Sequence, residues 1–470
     1  MFFARQHLHF TGIGGIGMSG IAEVLLNLGY PISGSDQKLS PTTARLASLG
    51  ATVFEGHRAE NLAGAKALVV TSAVAAGNPE VEEARRLKIP VIPRGELLAE
   101  LMRLKYGIAI AGSHGKTTTT SMTATILTHA GLDPTVVVGG KAAAMGGSNA
   151  RVGKSDFLVV ESDESDGSFL KLSPILAVVT NIDREHLDHY ADIDVIRAAF
   201  TDFVNKVPFY GAAILCLDDE NVQQILPLVR RRAITYGRNT QADYQPRELD
   251  GDTASSGFQT RFSLKCGPAF DNQDLGVFTL NFPGAHNVLN ATAAIAVARE
   301  LGVAPDVIRE GLAKFAGVAR RFDVRGTARG VTVVDDYGHH PTEIRATLGA
   351  ARACCQSRVH VIFQPHRYTR TQHLLDDFAR AFHQADDVVV IDIYAASEKP
   401  IAGVSAEALV DRMRQFGHRG ASYAASNEEA ISRVAAAARP GDMILTLGAG
   451  SVSQLGAQIL EALTPAGSVK

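Results

Sequence analysis

The side chains best placed to do chemistry cluster around two glycine loops, and both loops suit phosphate. Gly112-Ser113-His114-Gly115-Lys116-Thr117-Thr118 follows an apolar run at Gly107–Ala111. In such a loop the backbone amides cradle phosphate oxygens, a lysine bridges the β- and γ-phosphates, and a threonine hydroxyl ligates Mg2+. Only two residues separate its glycines, whereas a strict Walker A motif has four. A helix predicted from Thr118 toward Ala130 would aim its dipole at the phosphates. The earlier loop, Gly12-Ile13-Gly14-Gly15-Ile16-Gly17, fits GxGxxG, follows Leu8–Thr11 and precedes helix-like Met18–Leu28, with Asp36 ending the next strand. That pattern places a diphosphate at a helix start without saying which nucleotide carries it, and a tight turn with no ligand is the plainer alternative.

Acidic residues gather beside the lysine loop. Glu161-Ser-Asp163-Glu164-Ser-Asp166 begins where the run Phe157–Val160 ends, and Asn181-Ile-Asp183-Arg-Glu185-His186-Leu-Asp188 begins where Ala177–Thr180 ends. Carboxylates there would hold Mg2+ and offset the charge of a transferring phosphoryl group. Solvated acidic loops with capping roles are the plainer alternative. Two loops in succession imply one nucleotide that is consumed and another that is a handle on the substrate. A nicotinamide-dependent oxidoreductase would use Gly12–Gly17 and Asp36 but leave Lys116 unexplained. Farther on, Arg367 and Arg370 follow the run Val359–Phe363, and guanidinium matches a carboxylate bidentately.

The elements that must position these residues are short β-branched runs alternating with longer amphipathic stretches, the pattern of α/β domains with parallel sheets. Further runs lie at Ala67–Thr71, Val91–Pro93, Ala213–Leu217, Val331–Val334, Val388–Ile393 and Met443–Leu447. The polar segment Ala242–Gly276 reads as an antiparallel β excursion within the middle domain. Candidate site residues fall just after strands, the ligand edge of an open α/β sheet. A chain of 470 residues exceeds one compact core. We expect domains at 1–106, 107–316 and 317–470, with joints near Lys105 and Phe315–Val318.

Composition narrows the class. A net charge of −3 offers no footprint for nucleic acid or anionic lipid. No apolar run is long enough to span a membrane, and Met1–Phe10 lacks the apolar core of a signal peptide. The four cysteines, Cys216, Cys266, Cys354 and Cys355, show no CxxC spacing, which fits a cytoplasmic setting.

Taken together, the motifs resemble the Mur ligase family. Those carrying the resemblance are Gly12–Gly20, Gly112–Thr120, Glu161–Phe169, Thr180–Asp188, Phe282–Asn290, Gly317–Asp323, Asp335–Pro341 and Gln364–Arg370, in family order over nearly the whole chain. The resemblance implies a Rossmann-like N-terminal domain for UDP, a central P-loop-type ATPase domain, and a Rossmann-like C-terminal domain on the amino-acid side. Gly14, Gly15 and Gly17 would then receive the UDP diphosphate, helped by Asp36, Ser72 and Arg94. The ATP set would be Gly112, Ser113, His114, Gly115, Lys116, Thr117 and Thr118, with His286, Asn287 and Asn290 toward adenine and Arg321 and Asp336 from the C-terminal domain. Thr117, Glu161 and His186 would complete a metal site. Tyr337, His339, Arg367 and Arg370 would form the amino-acid pocket, with Lys116, Glu161, His186 and His339 as catalytic residues and His339 a candidate amine base.

The resemblance is to the alanine-adding branch. Sister ligases carry a modified lysine where this chain has Arg197-Ala-Ala-Phe200-Thr. The implied reaction joins L-alanine to the lactyl carboxylate of UDP-N-acetylmuramate through an acyl phosphate, using ATP and Mg2+, for peptidoglycan synthesis. The branch that recycles a murein tripeptide is the alternative. The expected partners are these substrates alone, with no nucleic acid and no membrane insertion, in a monomer or weak homodimer.

Overall fold

The computed structural model describes residues 5–71, 74–75, 77–139, 149–185, 189–249 and 258–464. Ser72, His186 and Asp188 lie outside the described residues. The chain divides into two compact units, one formed by 1–247, 262–278 and 289–316, the other by 248–261, 279–288 and 317–470.

The first unit holds two sheets. β1 (Leu8–Thr11), β2 (Ile32–Asp36), β3 (Thr52–Glu55), β4 (Ala67–Val70) and β5 (Val91–Pro93) form a parallel sheet in the order β3-β2-β1-β4-β5. The order reverses beside β1, which places the first glycine loop at a switch point. The central sheet comprises β6 (Tyr106–Ala111), β7 (Thr135–Val137), β8 (Ala150–Arg151), β9 (Phe157–Glu161), β10 (Leu176–Val179), β11 (Ala212–Cys216), β12 (Ala233–Tyr236), β13 (Tyr244–Glu248), β14 (Thr260–Cys266) and β15 (Asp274–Leu280). Its order is β15-β14-β13-β12-β11-β10-β6-β9-β7-β8. The lysine-loop strand β6 runs parallel between β10 and β9, the strands that end in the two acidic segments. Strands such as Leu176–Val179 are buried throughout, because helices cover both faces of a parallel sheet and both must be apolar. Where the sequence predicts an antiparallel excursion from Ala242, its first strand β13 joins β12 in parallel sense at Tyr236–Tyr244.

The second unit is built on β16 (Asp323–Ala328), β17 (Val331–Asp336), β18 (Val359–Phe363), β19 (Asp387–Val390), β20 (Ala421–Tyr423) and β21 (Met443–Leu447), ordered β16-β17-β21-β18-β19-β20. Only β16 pairs antiparallel, to β17. Alternate strand residues feed opposite layers: Val361 and Phe363 pack with Phe378 and Phe382, while Ile362 and Ile444 pack with Ile431 and Ile459. The predicted run Val388–Ile393 stops being strand at Val390. Beyond it the chain leaves the sheet and bridges His366 through Tyr394.

Candidate active site

The lysine loop owes its shape to two glycines and to the asparagine that follows β10. Gly112 and Gly115 adopt φ of +129° and +82°. A side chain at Gly112 would place its Cβ 2.1 Å from the Thr180 hydroxyl, so only glycine fits. Asn181 grips the loop from outside. Its Oδ1 accepts from the His114 amide at 2.8 Å, and its Nδ2 donates to the His114 carbonyl at 3.0 Å. The Thr180 hydroxyl donates to the same carbonyl at 2.6 Å, and Ser113 Oγ accepts from the Asp183 amide at 2.8 Å. His114 Nε2 stands 2.9 Å from Asp183 Oδ2. The helix Lys116–His129 starts at once, with Gly115 as an N-cap that makes no side-chain hydrogen bond. Its first amides and its positive end therefore face the loop.

Around that helix start the structure assembles a cation, a hydroxyl and carboxylates. Lys116 Nζ donates to the Gly112 carbonyl at 2.6 Å, the Ser113 carbonyl at 3.1 Å and Glu164 Oε1 at 2.7 Å. The Thr117 hydroxyl donates to Glu161 Oε1 at 2.9 Å, and the Gly139 amide donates to Glu161 Oε2 at 2.6 Å. Burial pushes the Lys116 ammonium toward neutrality, but the charges of Glu164, Glu185 and Glu161 outweigh it and hold the pKa above the ordinary value. Burial raises the Glu161 carboxyl, against the pull of Lys116. Asn290 lies against the loop from the far side: a Cβ on Gly115 would come within 2.5 Å of its Oδ1, which also accepts from the Thr119 hydroxyl at 3.2 Å. Of the expected adenine-side set, Asn290 reaches the loop, while Asn287 donates to the Pro283 carbonyl at 2.7 Å and His286 packs on Gly284 in the second unit's segment.

The first glycine loop closes on Asp36, whose Oδ2 accepts from the Gly14 amide at 2.9 Å. Helix Ile16–Asn27 follows, also without a side-chain cap at Gly15. Arg94 lies under Gly17, its Nη1 2.9 Å from where a Cβ would be. Its Nη2 pairs with Asp163 Oδ2 at 3.1 Å, which ties the first loop's surroundings to the acidic segment after β9. Beneath the loop lies a residue that the motifs did not flag. Glu80 is 0% exposed and accepts from Thr11 Oγ1 at 2.7 Å, Ser35 Oγ at 2.7 Å and Asn61 Nδ2 at 2.8 Å, with His9 Nε2 3.4 Å away. Burial raises its carboxyl, but the donors from His9, Asn61, Thr11 and Ser35 prevail and bring it down to about 2. Its partners are scattered along the sequence, so no spacing could reveal them.

In the second unit the expected amino-acid residues converge. The Tyr337 and His339 rings meet edge-on at 5.2 Å, and His339 and His366 lie 6.0 Å apart. Arg320 and Arg321 sit over Tyr337 at 5.0 Å and 5.2 Å. Arg370 Nη1 stands 3.3 Å from both His366 Nδ1 and the His366 carbonyl. Burial, then the charges of His339, Arg370 and Arg367, pushes His366 down to about 3, so it is neutral at physiological pH. Arg321 Nη1 donates to Glu343 at 3.0 Å, which, after the cost of burial, holds its pKa above the ordinary value. Asp336 accepts from the Phe322 and Gly338 amides, each at 2.7 Å, and from Thr347 Oγ1 at 3.1 Å. Its carboxylate thus organises the unit's own backbone. Arg320, Glu343, His366 and Tyr394 are the neighbours that sequence reading passed over, since each joins the cluster through folding alone.

The described residues fit a divalent cation at the Thr117–Glu161 pair, where a hydroxyl and a half-buried carboxylate supply hard oxygen donors.

Comparison with known proteins finds likeness along nearly the whole chain. The sequence matches the Mur ligase family catalytic domain over residues 7–106, the Mur ligase middle domain over 110–298 and the Mur ligase glutamate ligase domain over 320–450. It is 70% identical over 467 residues to the UDP-N-acetylmuramate–L-alanine ligase of Solibacter usitatus, covering 99% of this chain and 97% of that protein. The enzyme of the same name from Koribacter versatilis is 58% identical over 466 residues, covering 99% of this chain and 98% of its own. Among solved structures, the UDP-N-acetylmuramate–alanine ligase of Thermotoga maritima superposes with a TM-score of 0.78 at 29% identity, covering 97% of this chain and 98% of that one. Two phosphate-type loops, an acidic segment beside each strand that flanks the lysine loop, and these full-length likenesses lead to one assignment: the chain belongs to the Mur ligase family.

Proposed function

We propose that this chain ligates L-alanine to the lactyl carboxylate of UDP-N-acetylmuramate at the expense of ATP, in the cytoplasmic assembly of peptidoglycan precursors. The observation that carries the reading is the Lys116 cluster, a half-buried ammonium beside a threonine hydroxyl and a carboxylate at an uncapped helix start. Full-length relatives of that name support the choice of substrates. In this reading residues 1–106 take the UDP sugar, 107–316 take ATP, and 317–470 bring the amino acid.

A carboxylate is a poor electrophile, so the lactyl group must first acquire a leaving group. Its oxygen attacks the γ-phosphorus of ATP, the bond to ADP breaks, and an acyl phosphate forms. The amine of L-alanine, as the free base, then attacks the acyl carbon, and inorganic phosphate leaves. Lys116 and the loop amides stabilise the charge spread over the transferring phosphoryl oxygens. Thr117 and Glu161, with His186, would hold Mg2+, which when bound screens the phosphate charges. Gly14, Gly15, Gly17 and Arg94 hold the UDP diphosphate, and Arg367 and Arg370 fork the alanine carboxylate. Tyr337 walls the methyl group. Catalysis by these groups is mainly positioning.

The test is phosphate release from ATP with Mg2+ and UDP-N-acetylmuramate, adding either L-alanine or the L-Ala-γ-D-Glu-diaminopimelate tripeptide. Release that requires L-alanine is expected. Release with the tripeptide alone would overturn the alanine assignment.

A further inference from the structure

The loop that carries the two arginines is itself held by a second segment, and we propose that Glu398 is a positioning residue that sets affinity for the amino acid's carboxylate by locking Arg367 and Arg370 into one fork. The proposal rests on the reading of those arginines as the carboxylate clamp.

Arg367 sits at φ +72°, in the left-handed region, and helix Tyr368–His373 begins immediately after it. Six residues form no stable helix alone, and a non-glycine residue in that backbone region persists only where its surroundings over-determine it. The surroundings here are the segment that leaves β19. The Tyr394 amide donates to the Pro365 carbonyl at 2.8 Å, and the Arg367 amide donates to the Tyr394 carbonyl at 2.9 Å. The Tyr394 ring stacks on His366 at 5.4 Å and 10°.

Four residues on, both carboxylate oxygens of Glu398 are spent on Thr369: Oε2 accepts from its amide at 3.0 Å, and Oε1 accepts from its hydroxyl at 2.7 Å. Thr369 lies between the two arginines, so the carboxylate fixes the helical turn that separates them. Ala396 and Ser397, at φ +46° and +73°, turn the segment back so that Glu398 arrives. Burial raises the Glu398 carboxyl, but the Thr369 donors and the Arg367 charge bring it below its ordinary value, so it is ionised at neutral pH.

Two consequences of that carboxylate oppose each other. As a charge, Glu398 competes with the substrate's carboxylate for the guanidinium groups, and its loss would tighten binding. As a brace, it holds the fork, and its loss would weaken binding. The sign of the change in KM separates the two.

Steady-state kinetics on full-length E398A, E398Q and T369V, with R370K alongside, decide the matter. Loss of a charge-assisted brace predicts a rise of about tenfold in KM for L-alanine in E398A. E398Q, which still accepts from Thr369, and T369V should show smaller rises of about threefold, the size of one neutral hydrogen bond. In all three, kcat and the KM values for ATP and UDP-N-acetylmuramate should stay at the parent values. An unchanged or lowered KM for L-alanine in E398A would overturn the proposal, as would a rise in all three KM values together with a lower Tm. A rise in R370K without one in E398A would sink Glu398 alone. No rise in R370K would sink the arginine clamp, and Glu398's role with it.

Discussion

At the scale of single residues, the chemistry depends on a few charges whose values are set by burial and by near neighbours. Lys116 is held charged against its own desolvation by Glu164 and the carboxylates beyond it. We expect Lys116→Ala to abolish turnover while circular dichroism and Tm stay at the parent values. Measurable activity in that variant would remove Lys116 from phosphoryl transfer. Glu161→Gln keeps the Thr117 contact but removes a hard anionic donor, and we expect the Mg2+ concentration for half-maximal activity to rise about tenfold or more. An unchanged metal titration would return Glu161 to a purely structural role.

Glu80 makes a different prediction, about stability. Its folded value is brought down to about 2 from 4.5. The stabilisation is therefore present above pH 4.5 and is lost as pH falls toward 2. A shift of that size is worth on the order of 3 kcal/mol. The parent Tm should fall between pH 5 and pH 3, and Glu80→Gln should start lower and fall less steeply over that interval. Parallel melting curves for the two proteins would contradict this.

At the scale of elements, each glycine loop delivers a helix start with its amides uncommitted to a side-chain cap, as the proposed phosphate sites require. Gly115 is a second tight point of the lysine loop, after Gly112. It needs φ +82°, and a Cβ there would meet Asn290 Oδ1 at 2.5 Å. Gly115→Ala should cost about 1–2 kcal/mol from backbone strain alone, and raise KM for ATP. Adding Asn290→Ala should relieve the clash but not the strain, so the double variant recovers part of the lost stability. Recovery to the full parent Tm would show that strain at Gly115 contributes nothing.

At the scale of the molecule, the first unit links its two sheets where their loops approach. Arg94, below Gly17, pairs with Asp163, just past the end of β9. The charges of Arg94 and Lys116, with Ser165's hydrogen bonds, offset burial and keep the Asp163 carboxyl below its ordinary value. We expect Asp163→Asn to raise KM for UDP-N-acetylmuramate, since Arg94 loses the partner that aims it. A double-mutant cycle with Arg94→Ala should show the two effects to be non-additive. Additive effects would mean that Arg94 is aimed by something else. Among the described residues no helix is long and apolar enough to cross a membrane.

Local order in the chain was enough for the α/β class, most strands, the two helix starts and the glycine loops that precede them. These depend on apolar runs, glycine spacing and β-branched content, which act over a few neighbouring residues. Lys116, Thr117, Glu161, Arg367 and Arg370 could be proposed from the sequence because each stands close to a strand end. Only folding decided the rest. Glu80 takes its partners from Thr11, Ser35 and Asn61, up to 69 residues away. Asn290 accepts from Thr119, 171 residues earlier, in the helix that follows the lysine loop. β19 ends at Val390, and beyond it Tyr394 makes an isolated bridge to His366, a pairing that no local pattern announces. A buried polar group must find a donor wherever the fold supplies one, and pairings set by that demand leave no period or spacing in the sequence.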